Sequence, residues 1–313
     1  MSVYLDPRAA TRRLGLVQGP TGVPWHVTHC QNPFPQALGG GRYRIHFSAR
    51  DARNRSRGAW VDVHVAGDQI ITEHVAPIPS LELGRLGAFD DAGAMPGCLV
   101  DTPDGLRMYY TGWTLGGTVP FQFEIGCAIS TDGGATFTRI SEAPILGRNH
   151  HDPFVVGAPW VLRDGDGYRM WYAAGTEWKS DAAGAGKPVH YYTIKHASSD
   201  DGLTWRTSGH RCIDYGEGEH AIARPVVIPD GDRLLMFYSA RRLGEAYRVY
   251  VAVSRDGLLW ERKPRPFLDV GSAAWENEMV CYAAPLQADD RSFVLYNGNG
   301  YGSAGVGALL VTA

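Results

Sequence analysis

The chain has 313 residues, 44% hydrophobic and 20% charged, with a formal net charge of −3. That balance gives no basis for nucleic-acid binding, no run of five like charges occurs, and no stretch approaches the ~20 apolar residues of a bilayer-spanning helix. The N-terminal MSVYLDPRAATRRLG lacks the charged-then-apolar order of a signal peptide, and Cys30, Cys98, Cys127, Cys212 and Cys281 form no CxxC pair, so reduced, buried thiols and a cytoplasmic setting are expected.

In chain order, a short apolar run ending in an aromatic residue recurs five times: Ile45-His46-Phe47, Met108-Tyr109-Tyr110, Met170-Trp171-Tyr172, Met236-Phe237-Tyr238 and Val294-Leu295-Tyr296. The steps between the last residues are 63, 62, 66 and 58, so five units of about 62 residues fill the chain. In four units a Pro-bearing segment comes first (Asn32-Pro33, Met95-Pro96, Ala158-Pro159, Arg224-Pro225). A turn rich in Gly and Asp follows, then the aromatic run, then an alternating segment such as Ile125–Ser130 or Val249–Ser254. Runs this short, β-branched or aromatic and bounded by turn residues, read as strands. The basic stretch from Arg50 to Arg57, broken by Asp51 and Asn54, reads as a solvated loop.

A second mark recurs after the alternating segments: Ser130-Thr131-Asp132-Gly133-Gly134-Ala135-Thr136-Phe137, Ser198-Ser199-Asp200-Asp201-Gly202-Leu203-Thr204-Trp205, and the shortened Ser254-Arg255-Asp256-Gly257-Leu258-Leu259-Trp260. An Asp there accepts backbone N–H bonds, Gly takes positive φ and the aromatic packs back on the sheet, so the motif is structural. Four strands per unit around an axis make a propeller blade. The expected fold is therefore all-β: a single domain over residues 1–313, a five-bladed β-propeller. Its last unit is one strand short, and the N-terminal strand around Ser2 to Leu5 is expected to complete it and close the ring.

In a propeller the first strand of each blade lines the central channel. Aligning on the Pro slot places Asp90 six residues before Pro96, Glu219 six before Pro225 and Glu276 six before Tyr282. The period of two adds His29 and Glu278 on the same face, and the third unit offers His150-His151-Asp152-Pro153. Converging carboxylates are what glycoside hydrolysis uses, one as acid and one as base or nucleophile. Asp90, Asp152, Glu219 and Glu276 are thus the candidate catalytic residues. Arg224, at the channel end, is a candidate for holding a carboxylate or phosphate. Trp25, Trp113, Trp178, Trp275 and Tyr301 are candidate sugar-stacking platforms, and Asp91 and Glu278 further candidates for substrate binding. His29, His151 and His220 could hold a divalent metal ion at the channel centre, although no metal motif such as HExxH is present. The Gly-containing segments Trp113 to Phe123 and Glu177 to His190 could act as lids.

With these features the sequence resembles the five-bladed propeller glycosidases, the invertase-like, arabinanase/xylosidase-like and mannoside-phosphorylase-like groups. The Asp-bearing turn mark resembles their Asp-box hairpin. A closer likeness is to bacterial propeller proteins found beside sugar or natural-product biosynthesis genes, through Phe89-Asp90-Asp91-Ala92-Gly93-Ala94-Met95-Pro96, Ala223-Arg224-Pro225 and Tyr296-Asn297-Gly298-Asn299-Gly300-Tyr301-Gly302. The resemblance implies an Asp nucleophile on the first blade, an Arg-Asp-Pro in the middle and a later Glu. His151-Asp152-Pro153 and Glu219 are similar to the last two, whereas the first blade reads His29-Cys30-Gln31-Asn32-Pro33, with no acid. The leading expectation is a glycoside hydrolase-like enzyme acting on a small saccharide or glycosylated metabolite with no required cofactor. The alternatives are a metal-dependent tailoring enzyme on a sugar nucleotide or secondary metabolite, and a non-catalytic carbohydrate-binding propeller.

Overall fold

The computed structural model describes residues 3–6, 8–180 and 188–312. These residues form twenty strands and almost no helix. The strand β1 (Ala10–Gln18) is followed by β2 (Thr28–Gly39), β3 (Arg42–Arg50), β4 (Ser56–Ala66) and β5 (Gln69–Val75), the last four a continuous antiparallel meander. The second meander is β6 (Gly93–Thr102), β7 (Gly105–Leu115), β8 (Phe121–Ser130) and β9 (Thr138–Arg139). The third is β10 (Val156–Asp164), β11 (Gly167–Lys179), β12 (Val189–Ser199) and β13 (Arg206–Ile213). The fourth is β14 (Glu219–Asp230), β15 (Arg233–Arg242), β16 (Arg248–Ser254) and β17 (Glu261–Arg262). The fifth group runs β18 (Cys281–Ala288), β19 (Arg291–Asn297) and β20 (Val306–Thr312), and β1 pairs antiparallel with β20 as its fourth strand. A single helical turn, α1 (Asn299–Gly302), joins β19 to β20.

The aromatic runs lie in the second strand of each group, buried on both faces: Tyr109, Tyr110, Trp171, Tyr172, Phe237 and Tyr296 have no exposed surface. The turns between first and second strands use Gly where a left-handed backbone is needed, as at Gly165 (φ 59) and Gly231 (φ 66). Apolar clusters join second to third group, third to fourth, fourth to fifth, and fifth back to first. The core is therefore distributed between sheet faces.

The strand that completes the fifth group is Ala10–Gln18, not the segment around Ser2 to Leu5. Ser2 lies outside the described residues, and Val3–Leu5 is a turn of 3-10 helix whose Tyr4 is buried between the fourth and fifth groups. The true strand is hard to read because it is an edge: its first three residues are exposed and the rest are no more than half-buried, so it lacks the apolar alternation of an interior strand. The Asp turns form as their residue types dictate. Asp132 accepts the N–H groups of Ala135 and Thr136, each at 3.0 Å; Asp201 those of Leu203 and Thr204, each at 2.7 Å; and Asp256 those of Leu258 and Leu259 at 2.8 and 2.9 Å.

Candidate functional site

Each first strand carries a register shift beside its Pro slot, between Gln31 and Phe34, Pro96 and Cys98, Gly157 and Trp160, Ala223 and Val226, and Cys281 and Ala284. At four of these bulges a non-glycine residue takes a left-handed backbone: Asn32 (φ 60), Ala158 (φ 49), Arg224 (φ 57) and Tyr282 (φ 58). A side-chain acceptor one residue past the aromatic of the preceding group holds three of them. Thr111 Oγ1 accepts from the Ala158 N–H at 2.7 Å, Ser239 Oγ from that of Tyr282 at 2.8 Å, and Asn297 Oδ1 from that of Asn32 at 2.9 Å. Strain of this kind persists only where surrounding structure fixes it, and it gathers at binding sites.

These residues share one cavity of about 280 Å³. Asn32, Met95, Ala158, Arg224 and Tyr282, one from each first strand, line it together with Arg50, Arg241, His190, Tyr192 and Tyr301. Gln31 and Thr111 add polar groups, and Met95, Phe121 and Phe123 an apolar wall. Among the described residues no carboxylate lines it.

Three arginines dominate its charge. Arg224, 1% exposed, donates to the carbonyls of Gly97 at 2.8 Å and Asn32 at 3.3 Å, with the rings of Phe34 and Trp160 5.7 Å away. Burial pulls its ionisation down to about 10, leaving it charged at neutral pH. Arg50 donates to Gln31 Oε1 at 2.6 Å and Asn54 Oδ1 at 2.8 Å. Arg241 donates to the Tyr301 hydroxyl at 3.2 Å and lies 4.8 Å from the Tyr247 ring. None of the three pairs with a carboxylate among the described residues, and the Nε–H of each is buried without a partner. Burial, with Arg241 and His220 nearby, pulls His190 down to about 3; burial and Arg50 pull His29 down to about 4. Both imidazoles are therefore neutral beside the guanidinium groups.

The four candidate catalytic acids lie elsewhere, and each is engaged inside its own group. Asp90 accepts from Tyr110 Oη at 2.9 Å and Arg139 Nε at 2.7 Å. Asp152 accepts from Tyr172 Oη at 2.8 Å and Lys195 Nζ at 2.7 Å. Glu219 is held by both terminal nitrogens of Arg262, at 2.8 and 2.7 Å, while Arg262 Nε donates to Tyr238 Oη at 2.9 Å. Glu276 accepts from Tyr296 Oη at 2.6 Å and from Arg13. The acid precedes the tyrosine by 20, 20, 19 and 20 residues, so this is one acid–tyrosine–base latch built four times. The first group lacks it: Phe47 occupies the tyrosine slot and Val27 stands 20 residues before. None of these four acids is among the residues that line the cavity; each is held by a cationic side chain of its own group, Arg139, Lys195, Arg262 or Arg13.

The other candidates divide. Arg224 and Tyr301 line the cavity. Asp91 accepts the Gly87 N–H in a turn at 2.9 Å, and Trp113 is buried with its Nε1–H on Ser56 Oγ at 3.4 Å, so both are structural. Trp178 packs edge-on to Phe121 and beside His190 behind the apolar wall. Trp25 stacks on His26, Trp275 stacks on Tyr296, and Glu278 is exposed. The candidate metal ligands have other neighbours: His151 lies against His150 with the rings tilted, His29 bonds Thr28 Oγ1, and His220 packs against Tyr191. Among the described residues no three His, Cys, Asp or Glu side chains gather as a metal would require. Most of Trp113 to Phe123 is paired in β7 and β8, contributing Phe121 and Phe123 to the cavity. The second candidate lid, Glu177 to His190, lies partly outside the described residues.

Arg50 and Arg241 escape the sequence reading, in which the stretch beginning at Arg50 is a solvated loop. A signal for them exists: Phe47-Ser48-Ala49-Arg50 and Tyr238-Ser239-Ala240-Arg241 repeat Ser-Ala-Arg after the aromatic in the first and fourth units.

No family model matches the chain. The fold is of the propeller type seen in solved glycoside hydrolases: the chain superposes on one of them with a TM-score of 0.76 at 17% identity, over 96% of this chain and 91% of that one. It likewise matches a thermostable family-43 glycoside hydrolase (TM-score 0.65, 16% identity, 94% and 92%) and the Bombyx mori beta-fructofuranosidase BmSUC1 (TM-score 0.64, 15% identity, 95% and 61%). In sequence it is 38% identical over 302 residues to two Mycobacterium tuberculosis proteins, Uncharacterized protein Rv1502 of strain H37Rv and Uncharacterized protein MT1551 of strain CDC 1551, covering 95% of this chain and 98% of each of them. The chain belongs to the family of these mycobacterial proteins.

Proposed function

We propose that this protein is a single five-bladed propeller, closed by β1, whose central cavity receives a small saccharide or sugar conjugate. The observation that carries this reading is the cavity itself, to which each of the five first strands contributes a residue beside its bulge, four of them bulge residues in a left-handed backbone. Its apolar wall fits a sugar ring face and its amide, hydroxyl and guanidinium groups fit hydroxyls. A volume of about 280 Å³ sits at the small end of ligand pockets, suiting one or two sugar rings. The superfamily fold supports a second reading, glycoside hydrolysis. Two-carboxylate chemistry through Asp90, Asp152, Glu219 and Glu276 finds little support, since each is engaged by a base away from the cavity.

The test is calorimetric titration with a panel of mono- and disaccharides and their conjugates, with aryl-glycoside hydrolysis followed in parallel. Binding of a panel member, lost in Tyr301→Ala and Thr111→Val, is expected. Hydrolysis abolished by Asp90→Asn and Glu219→Gln in variants that remain folded would return those acids to a catalytic role. No binding anywhere in the panel would overturn the sugar reading.

A further inference from the structure

We propose that the central cavity is an anion site, and that its saccharide carries a phosphate or carboxylate group held by Arg50, Arg224 and Arg241. This rests on the reading of the cavity as a sugar pocket and names the substrate class.

The argument starts from how this molecule treats its other sequestered arginines. Arg44 pairs with Asp62, Arg57 with Asp51, Arg139 with Asp90, Arg262 with Glu219 and Arg13 with Glu276. A guanidinium stays charged under all ordinary conditions, and an uncompensated buried charge is costly, so such pairing is expected. The exceptions Arg50, Arg224 and Arg241 line one cavity of about 280 Å³, which has no carboxylate among its described wall residues. Their protein partners are carbonyl, amide and hydroxyl oxygens, which accept hydrogen bonds without neutralising charge. Among the described residues the Nε–H of all three lacks a partner. Three cations without a carboxylate partner among the described residues, beside the His190 ring, supply what a phosphate or carboxylate needs, a set of charge-assisted donors. A neutral sugar would leave the net charge of the cavity uncompensated.

The experiment uses the full chain at constant ionic strength. Inorganic phosphate, glucose 1-phosphate, glucose 6-phosphate, glucuronate and glucose are titrated calorimetrically, with chloride as the control. At least one anionic sugar is expected to bind about 10-fold or more tighter than glucose, a gap typical of one charge-assisted contact. That preference is expected to fall about 10-fold or more in Arg241→Gln and in Arg50→Gln. Each variant's thermal transition separates lost binding from lost folding, and Arg241→Lys, which keeps the charge, should retain part of the affinity. The ranking of glucuronate against the phosphate esters assigns the anionic group. Inorganic phosphate binding with no gain from an attached sugar would overturn the sugar-borne assignment and make this a free-ion site. Equal affinity for glucose and its anionic forms would overturn the anion site while leaving the sugar pocket intact. Anion binding unchanged in both glutamine variants would remove it from these arginines.

Discussion

At the scale of single residues, the four-fold latch explains why this chain buries so many carboxylates. Asp152 is the sharpest case: it has no exposed surface, its Lys195 partner is 7% exposed, and Tyr172 completes its shell. Removing one member of such a pair strands the other in a low-dielectric setting, so Asp152→Asn should destabilise the fold by about 3–5 kcal/mol. Denaturant titration checks this, and Asp152→Asn with Lys195→Met should recover part of the loss, because the double variant leaves no unpaired charge. An Asp152→Asn protein as stable as the parent but unable to act on ligand would refute the latch reading. The positions of these acids were legible because they repeat in register with the aromatic strands. Their roles were not, because the deciding partners Arg139, Lys195, Arg262 and Arg13 sit on the third or fourth strand of a group or at the far end of the chain, at separations no local spacing reveals. The cavity arginines had the opposite fate: the Ser-Ala-Arg repeat marks Arg50 and Arg241 in sequence, but charge alone reads as solvated surface until burial is known.

At the scale of elements, the bulge in each first strand converts a regular sheet edge into a wall of converging side chains. A left-handed backbone costs an L-residue with a Cβ about 1–2 kcal/mol, and Ala158 has no functional side chain to justify it. Ala158→Gly should therefore raise stability, by about 1 kcal/mol after the entropy cost of glycine is set against relieved strain. A shift in denaturation midpoint at unchanged m-value measures it, and a destabilised variant would mean that the Ala158 methyl packs more than it strains. The Thr111, Ser239 and Asn297 acceptors explain why the strain is tolerated, since each fixes the next group's bulge by a hydrogen bond across the seam. The repeat, strand order and turn chemistry were all legible in the sequence, because alternation and Gly-Asp turns are local signals. The closing strand was not, because an edge strand facing water carries no such pattern, and its identity is set by β20 needing a partner.

At the scale of the whole molecule, the same burial that seals the sheet faces also keeps several histidines neutral. His46 is fully buried and pulled down to about 3 by burial and then by Arg44; His196, by burial and Arg169, sits at about 4. His29 and His220 lie at about 4 and His190 at about 3, with arginines adding to burial in each case. In the unfolded chain a histidine takes up its proton near pH 6.5. Between that pH and about 4 the unfolded state therefore binds more protons than the folded one, so stability falls as pH falls through this window. A histidine held fully neutral in the fold contributes a slope of about 1.4 kcal/mol per pH unit there. The depressed carboxylates act lower: Asp51 and Asp132, both at about 2, withdraw their contributions only as pH drops from the ordinary carboxylate range toward that value. Acid unfolding should thus begin near pH 6.5, well above any carboxylate titration. Denaturant titrations at pH 7.5, 6 and 5 check this, with His46→Gln as the control that cannot take the proton. The stability gap between parent and variant should narrow as pH falls, because only the parent loses the histidine contribution; a constant gap would mean that His46 titrates alike in both states. An anionic ligand between the three arginines would reduce the field on His190 and His29, so its presence should shift the onset of acid unfolding to lower pH, linking the charge of the cavity to the stability of the propeller.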